Sequence, residues 1–385
     1  MKQEFTWFCY SYTDSLAFDS ADQARQACTA DGNRVRKITC QRAFSWFFAT
    51  QSTMKVIQHS PGAGVFRAPL GLGHKHVQSL LAGWPLRRRL LRRRVWPLLA
   101  AAQPEVLDCG DDVRLLGYYS PQAGETRGLA ILLHGWEGSA EANYVLSVGG
   151  ALYDAGCDVF RLNFRDHGAT HGLNRELFHS CRIDEVVNAI KRITEAHPAA
   201  RTFLIGHSLG GNFALRVAAR AGAAELALSG TVAICPVLRP HSTMRALEDG
   251  LWVYRHYFLH RWRRSLLAKA ASFPELYDFG DLRRFRTLTA TTEFFVARYT
   301  NFPDLDAYLH GYDITGAALA GLQVPTRLIA AVDDPVIPVA DLADLASSRA
   351  LQISVMPRGG HCGFLESYNL RSWLDRAVLS ELTVH

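Results

Sequence analysis

Residues 202–222 read TFLIGHSLGGNFALRVAARAG, which places the motif Gly-x-Ser-x-Gly between two regular elements. The apolar run before Gly206 is typical of a buried strand, and the run after Gly210 has the spacing of a helix that a glycine ends. A sharp turn between them strains the serine backbone, and the glycines leave room for the neighbouring backbone. The stretch therefore predicts a strand–turn–helix that exposes Ser208 at the end of a strand.

Two backbone amides are predicted to stabilise the oxyanion that forms when Ser208 attacks a carbonyl group. One is the N–H of Leu209, at the start of the helix. The other follows the apolar run of residues 128–133, which is typical of a strand buried on both faces. In the next turn, Gly135 lets the backbone approach and Trp136 supplies the N–H.

An acid and a base follow Ser208 in the chain order that this architecture requires. Asp334 comes after the apolar run TRLIAAV, and His361 lies 361 − 334 = 27 residues later in a glycine-bracketed loop. Ser208, His361 and Asp334 are therefore predicted to be nucleophile, general base and orienting acid. The adjacent Asp333 remains an alternative acid, whereas His134 precedes both and is interpreted as structural.

Strands and helices are predicted to alternate from residue 128 to residue 237, after a hairpin over residues 106–120. This pattern predicts an α/β protein with the doubly wound, mostly parallel sheet of the α/β-hydrolase fold. Between residues 240 and 324 the chain is rich in arginine and aromatic residues and offers no central strand. A helical cap over the carboxyl edge of the sheet and helices on its flank both fit this insertion.

Four parts of the chain are predicted from these patterns. They are residues 1–53, a poorly structured leader or an artefact of start-codon choice; residues 54–104, a basic helical segment; residues 105–240 and 323–385, the hydrolase core; and residues 241–322, the helical cap insertion. The first part has three of the eight cysteines, no proline and no sustained hydrophobic period, and Met54 opens a segment that reads as a start of its own.

The overall composition is that of a globular protein. The 385 residues include 48% apolar and 20% charged residues, and 42 Lys and Arg against 36 Asp and Glu give a net charge of +6. These values exclude a mainly disordered, collagen-like or coiled-coil chain. Because no apolar run approaches the roughly 18–20 residues that span a bilayer, and no signal core is present, a cytoplasmic location is expected.

The positive charge is concentrated between Arg87 and Arg94, where RRRLLRRR has six arginines, as many as the whole net charge. In a helix, Leu90, Leu91 and Val95 would form a narrow apolar edge. A solvated basic helix is the simplest interpretation, and contact with anionic lipids at the inner membrane surface is the more specific one. No nucleic-acid-binding motif accompanies the run, so no nucleic-acid partner is expected.

No metal and no cofactor are predicted. The cysteines stand singly without the CxxC spacing of zinc or redox sites. The histidine pairs at helical spacing, His167 with His171 and His256 with His260, lack the glutamate of an HExxH site.

Several motifs together resemble the YheT/EMB8-type α/β-hydrolases, relatives of the ABHD1/ABHD3 group. They are GHKHVQS (73–79), HGWEGSAEANY (134–144), NFRDHG (163–168), LFHSCRIDE (177–185), GHSLGGN (206–212), AVDDPVIP (331–338) and GGHCGF (359–364). The resemblance covers about residues 64–375. It implies an esterase-like hydrolase, with lipid or acyl-ester substrates in some relatives.

Two positions depart from the family pattern. Trp136 stands where a smaller aliphatic residue is common and is expected to narrow the site, and Asp166-His167 follows Arg165 where the family has Gly or Gly-Cys. In the same family-like segments, Arg161 or Arg165 is predicted to form a buried pair with Asp184, which is also the expected N-cap of a helix.

The combined prediction is a serine hydrolase that cleaves carboxylic esters, small or lipid-derived, through an acyl-enzyme and without a cofactor. The lipid alternative would place the protein in lipid metabolism. A thioesterase or an acyltransferase would use the same residues. A non-catalytic scaffold is the competing class, although a scaffold has no need of a strained serine.

Overall fold

The computed structural model describes residues 63–384 and three short strands before them, β1 (Trp7–Tyr10), β2 (Ser15–Phe18) and β3 (Val56–Ile57). The chain divides into two compact units, residues 1–53 and 54–385. In the first unit, β1 and β2 pair in antiparallel fashion. The remainder of the predicted leader lies outside the described residues, so that prediction stays open.

The second unit is built on a nine-stranded sheet. Its further strands are β4 (Gln103–Asp108), β5 (Arg114–Ser120), β6 (Leu129–Leu133), β7 (Asp158–Leu162), β8 (Thr202–His207), β9 (Gly230–Ile234), β10 (Thr326–Ala331) and β11 (Leu351–Met356). They lie in the order β3-β11-β10-β9-β8-β6-β7-β5-β4. Neighbouring strands from β3 to β7 are parallel, whereas β5 is antiparallel to both of its neighbours, β7 and β4. The predicted mostly parallel, doubly wound sheet is confirmed.

Helices cover both faces of this sheet. They are α1 (Lys75–Ala82), α2 (Pro85–Arg94), α3 (Trp96–Ala100), α4 (Asn143–Asp154), α5 (Ile183–Ala196), α6 (Leu209–Arg220), α7 (Pro240–Asp249), α8 (Trp252–Ser272), α9 (Leu288–Tyr299), α10 (Leu305–His310) and α11 (Trp373–Val384). Every residue of β6, β8 and β9 is consequently buried, as their apolar sequences require. Among the helices in the described ranges, none has the length and hydrophobicity that crossing a bilayer requires.

Helices α7 to α10 lie between β9 and β10, in a stretch that is described throughout and adds no strand to the sheet. Their apolar side chains form a cluster separate from the sheet core. Its buried members are Leu177, Trp262, Leu266, Phe279, Leu282, Phe295, Val296, Tyr308 and Leu309. Leu177, from the segment after β7, joins the inserted helices in this cluster.

A buried ion pair connects α8 with the segment after β7. The Lys269 side chain is wholly buried, and its Nζ donates to Asp166 Oδ1 at 2.8 Å and to the carbonyl oxygens of Asn174 and Glu176 at 2.6 and 2.9 Å. The second carboxylate oxygen of Asp166 accepts the N–H of Phe178 at 2.8 Å. All three ammonium protons therefore have acceptors, and the carboxylate of Asp166 has a buried partner.

The prediction that Arg161 or Arg165 pairs with Asp184 is wrong. Arg165 donates through Nε and Nη2 to Glu185 Oε2 at 3.0 and 2.7 Å, and Arg161 pairs with Glu141 at 2.9 Å. Asp184 lies exposed in the first turn of α5, which begins at Ile183, two residues earlier than a helix capped by Asp184 would. The helix phase decides this result, because it turns Glu185 toward the core and Asp184 toward solvent.

The basic run is only partly a surface feature, which corrects the prediction for Arg87–Arg94. Arg87 is buried and donates to the carbonyl oxygens of Leu370 and Ala82 at 3.1 and 2.8 Å. One turn later, Leu91 is buried on the same face of α2, whereas Leu90 is 40% exposed. The predicted apolar edge is thus divided between core and surface.

We expect Lys269→Met to lower the free energy of unfolding by about 3 kcal/mol, because it leaves the carboxylate of Asp166 buried without a counter-charge. Urea unfolding monitored by circular dichroism measures the loss. The double variant Lys269→Met/Asp166→Asn is expected to recover part of it. A loss below about 1 kcal/mol, the range of an exposed pair, would contradict the structural importance of this contact.

Candidate active site

The turn after β8 holds the backbone of Ser208 in a conformation that residues other than glycine rarely adopt. Its φ is 54° and its ψ is −119°. A Cβ on Gly206 would lie 2.1 Å from the carbonyl oxygen of Gly210, and a Cβ on Gly210 would lie 2.5 Å from the carbonyl oxygen of His134. Both motif positions must therefore be glycine, because the two backbones pass too closely for any side chain.

The three residues predicted to act together do meet at the carboxyl edge of the sheet. Ser208 Oγ lies 3.0 Å from His361 Nε2, and His361 Nδ1 lies 2.9 Å from Asp334 Oδ2. The other carboxylate oxygen of Asp334 accepts the N–H groups of Val336 and Ile337 at 2.8 and 3.0 Å. These bonds hold Asp334 as an acceptor in line with the ring of His361.

Asp333, the alternative acid, points elsewhere. Its Oδ1 accepts the N–H of Gly360 at 2.9 Å and thereby supports the loop that contains His361. The geometry therefore favours Asp334 as the partner of the imidazole.

The electrostatics of the site favour the protonated form of His361. Burial by itself disfavours the charged ring, but the Asp334 carboxylate and the adjacent Cys362 together outweigh this effect and raise the pKa of His361 to about 9.

The turn after β6 lies directly against Ser208. A Cβ on Gly135 would lie 3.1 Å from the Ser208 Cβ. The N–H of Gly135 donates to the Tyr144 hydroxyl at 2.9 Å, and the N–H of Glu137 donates to His167 Nε2 at 3.1 Å. Between these two engaged amides, the N–H of Trp136 has no partner among the described residues.

Leu209 provides the second predicted amide. It is the first residue of α6, and N–H groups in the first turn of a helix have no acceptor within the helix. Leu209 follows Ser208 directly, so its N–H lies at the amino-terminal, electropositive end of α6.

His134 is buried beside this site without contacting Ser208. Its Nδ1 donates to the carbonyl oxygen of Gly135 at 2.7 Å, and its Nε2 accepts the N–H of Phe164 at 3.1 Å. Burial lowers the pKa of His134 to about 4. Both nitrogens are occupied and the ring stays neutral, so His134 braces the turn.

Sequence reasoning missed the support that α1 gives to the His361 loop. Ser79 Oγ accepts the N–H of His361 at 2.9 Å. Gln78 is wholly buried, and its amide donates to the carbonyl of Leu365 and accepts its N–H, at 3.2 and 2.6 Å. The only sequence signal was the His-x-Gln motif at residues 76–78, and it did not reveal which loop the glutamine holds.

A narrow apolar cavity of about 100 Å³ adjoins Ser208. Trp136 stacks on Phe258 of α8, with ring centroids 5.3 Å apart and planes 11° apart, and meets Trp262 edge-on at 5.3 Å. Other lining residues come from the inserted helices, among them Met244, Leu247, Phe295 and Tyr308. Trp136 therefore joins the turn after β6 to the insertion and occupies space beside Ser208.

Among the described residues, two groups of side chains have the composition of metal ligands: Cys235, His361 and Cys362, and His241, Asp306 and His310. In the first group, both nitrogens of His361 are already engaged by Ser208 and Asp334. The second group lies on α7 and α10 and contributes nothing to the contacts around Ser208.

The family profile and the sequence relatives of this chain all point to the α/β-hydrolases. A sequence profile described as alpha/beta hydrolase fold matches residues 130–368. YheT of Escherichia coli (strain K12), whose esterase designation is provisional, is 23% identical over 325 residues, which are 82% of this chain and 92% of that protein. Human protein ABHD15 is 29% identical over 205 residues, 51% of this chain and 42% of that protein.

Among solved structures, an esterase from Pyrococcus furiosus, Pf2001, superposes with a TM-score of 0.49 at 15% identity, covering 74% of this chain and 90% of that one. The resemblance to YheT-type proteins is confirmed by the sequence match. The profile spans more than half of the chain and includes the strand–turn–helix at Ser208, and the chain belongs to the α/β-hydrolase fold family.

Proposed function

We propose that the protein is a serine hydrolase that cleaves carboxylic esters through Ser208, His361 and Asp334, without a cofactor. The continuous contact from Ser208 Oγ to His361 and on to Asp334 carries the proposal. The two free amides beside the serine and the apolar cavity support it. A scaffold function is disfavoured, because the positive φ of Ser208 is a strained conformation of the kind that clusters at functional sites.

In the acylation step, His361 Nε2 takes the proton of Ser208 as Oγ attacks the ester carbonyl carbon. The N–H groups of Trp136 and Leu209 donate to the carbonyl oxygen as it becomes negative. Asp334 holds the Nδ1–H and stabilises the imidazolium. The tetrahedral intermediate then expels the alkoxide, which leaves as the alcohol after taking the proton from His361.

Deacylation repeats these steps with water. His361 takes a proton from the water, the resulting tetrahedral adduct expels Ser208 Oγ, and the proton returns to the serine. A thioester substrate would form the same acyl-enzyme, and an alcohol acceptor would take the acyl group from it in place of water. The small volume beside Trp136 favours short or slender acyl groups over the bulky lipid chains that the family resemblance implies for some relatives.

Replacement of the nucleophile tests the proposal directly. We expect wild-type protein to be labelled by a fluorophosphonate and to hydrolyse short p-nitrophenyl esters faster than long ones, and Ser208→Ala to lose both properties, with kcat lower by roughly 10⁴-fold or more. Equal thermal melting of the two proteins serves as the control for folding. No label on wild type, or equal hydrolysis by the variant, would defeat the proposal.

The pH dependence tests the role of Asp334. Because His361 must be neutral to accept a proton, kcat/KM should rise about tenfold per pH unit at lower pH, reach its midpoint near pH 9 and level off only above it. Asp334→Asn removes the charge that raises this pKa. It should move the midpoint to lower pH and reduce kcat by roughly 10³–10⁴-fold.

Asp333→Asn is the matched control for this experiment, since an amide oxygen can still accept the N–H of Gly360. It should leave the midpoint near its wild-type value. If Asp333→Asn moved the midpoint and Asp334→Asn did not, Asp333 would be the acid.

We further propose that α2 and α3 contact an anionic membrane surface. Four large apolar side chains there are exposed: Trp84, Leu86, Leu90 and Trp96. Four exposed arginines, Arg88, Arg89, Arg92 and Arg93, lie among them, although Arg88 and Arg92 also contact Glu141. At a lipid surface, the tryptophan and leucine side chains would contact the apolar layer, and the arginines would contact the anionic headgroups.

Vesicle co-sedimentation tests this contact. Wild-type protein should bind phosphatidylglycerol vesicles and not phosphatidylcholine vesicles, with binding that weakens as salt rises. Arg89→Glu/Arg93→Glu should abolish binding. The matched pair Arg245→Glu/Arg264→Glu, with the same charge change elsewhere, should retain it. Salt-insensitive binding, or equal loss in both pairs, would overturn the proposal.

A further inference from the structure

Three potential metal ligands meet on the inserted helices, away from Ser208. Their side-chain donor atoms, one each from His241, Asp306 and His310, all lie within 4.8 Å of one another. His241 Nε2 is 2.8 Å from Asp306 Oδ1, and the rings of His241 and His310 are 5.4 Å apart at 85°. We refer to these residues as the His241 cluster.

The local sequence explains half of this arrangement. Asp306 and His310 are four residues apart on α10 and so share one face of the helix. His241 comes from the first turn of α7, immediately after Pro240. Because 65 residues separate His241 from Asp306, only the packing of α7 against α10 completes the cluster.

We propose that the His241 cluster is a binding site for a zinc ion, with water as its fourth ligand. Two imidazole nitrogens and one carboxylate oxygen are ligands that Zn²⁺ takes in open tetrahedral sites. Such a site has metal–ligand bonds of about 2.1 Å and therefore ligand separations of about 3.4 Å. Donor atoms already within 4.8 Å reach these separations by small side-chain rotations.

The position of the cluster suits metal entry. The side chains of His241 and Asp306 are 31% and 76% exposed. Neither histidine is held by a buried network, so coordination replaces only the His241–Asp306 contact. The other group of possible metal ligands is Cys235, His361 and Cys362. It differs because a metal bound there would have to displace Ser208 or Asp334 from His361.

Binding would connect two walls of the cavity beside Ser208. Pro240, Thr243 and Met244 of α7 line this cavity, and so does Tyr308, which lies between Asp306 and His310 on α10. A metal that joins α7 to α10 would brace these walls against each other. Any effect on ester hydrolysis depends on the proposed function, but metal binding itself does not.

The first experiment is calorimetric titration of the chelator-treated full chain with ZnCl₂. One ion per chain should bind, and saturation should raise the Tm by about 2–4 °C. His241→Ala and His310→Ala should each weaken binding at least about tenfold. His256→Ala is the matched control, since His256 and His260 form an exposed pair at the same spacing without a third ligand, and it should bind like wild type.

Cobalt replaces zinc in the second experiment and identifies the ligands. Co²⁺ should give visible d–d bands without a thiolate charge-transfer band, and Cys362→Ser should leave the spectrum unchanged. No zinc binding by wild type, loss of binding in His256→Ala, or a thiolate band that disappears in Cys362→Ser would each overturn the proposal. Because these readouts need no substrate, they stand apart from a failure of the esterase proposal.

Discussion

The close approach of two backbones at Ser208 is the constraint on which the site depends. β6 and β8 are neighbours in the sheet, and the turns that leave them touch where Gly210 faces the carbonyl oxygen of His134. Ser208 adopts a positive φ in this turn, and the turn of Trp136 lies against it. The position of the Ser208 hydroxyl therefore depends on the pairing of β6 with β8 in the sheet.

Around this turn, each participating group is held by contacts from a distant part of the chain. α1 holds the His361 loop through Gln78 and Ser79, and His76 bonds the hydroxyl of Tyr254 at 2.9 Å. Helix α8 is held in turn by Lys269 under the β7 loop. Because these supports come from α1 and α8, the orientation of His361 depends on segments far from it in sequence.

The insertion is coupled to the site by aromatic packing as well as by charge. Trp136, in the turn that lies against Ser208, packs on the rings of Phe258 and Trp262. A movement of α8 would therefore shift this turn as well as the cavity wall.

The sequence by itself determined the sheet, the turn at Ser208 and the order of acid and base, because hydrophobic period, glycine spacing and chain order are local properties. Only the tertiary structure distinguished Asp334 from Asp333, paired Arg165 with Glu185 and buried Arg87. Each of these depends on the phase of a helix or the path of a loop against a distant partner. Hydrophobic period and residue spacing carry no information about such long-range packing. Asp333 and Asp334 fit the local sequence pattern equally well, and so do Asp184 and Glu185.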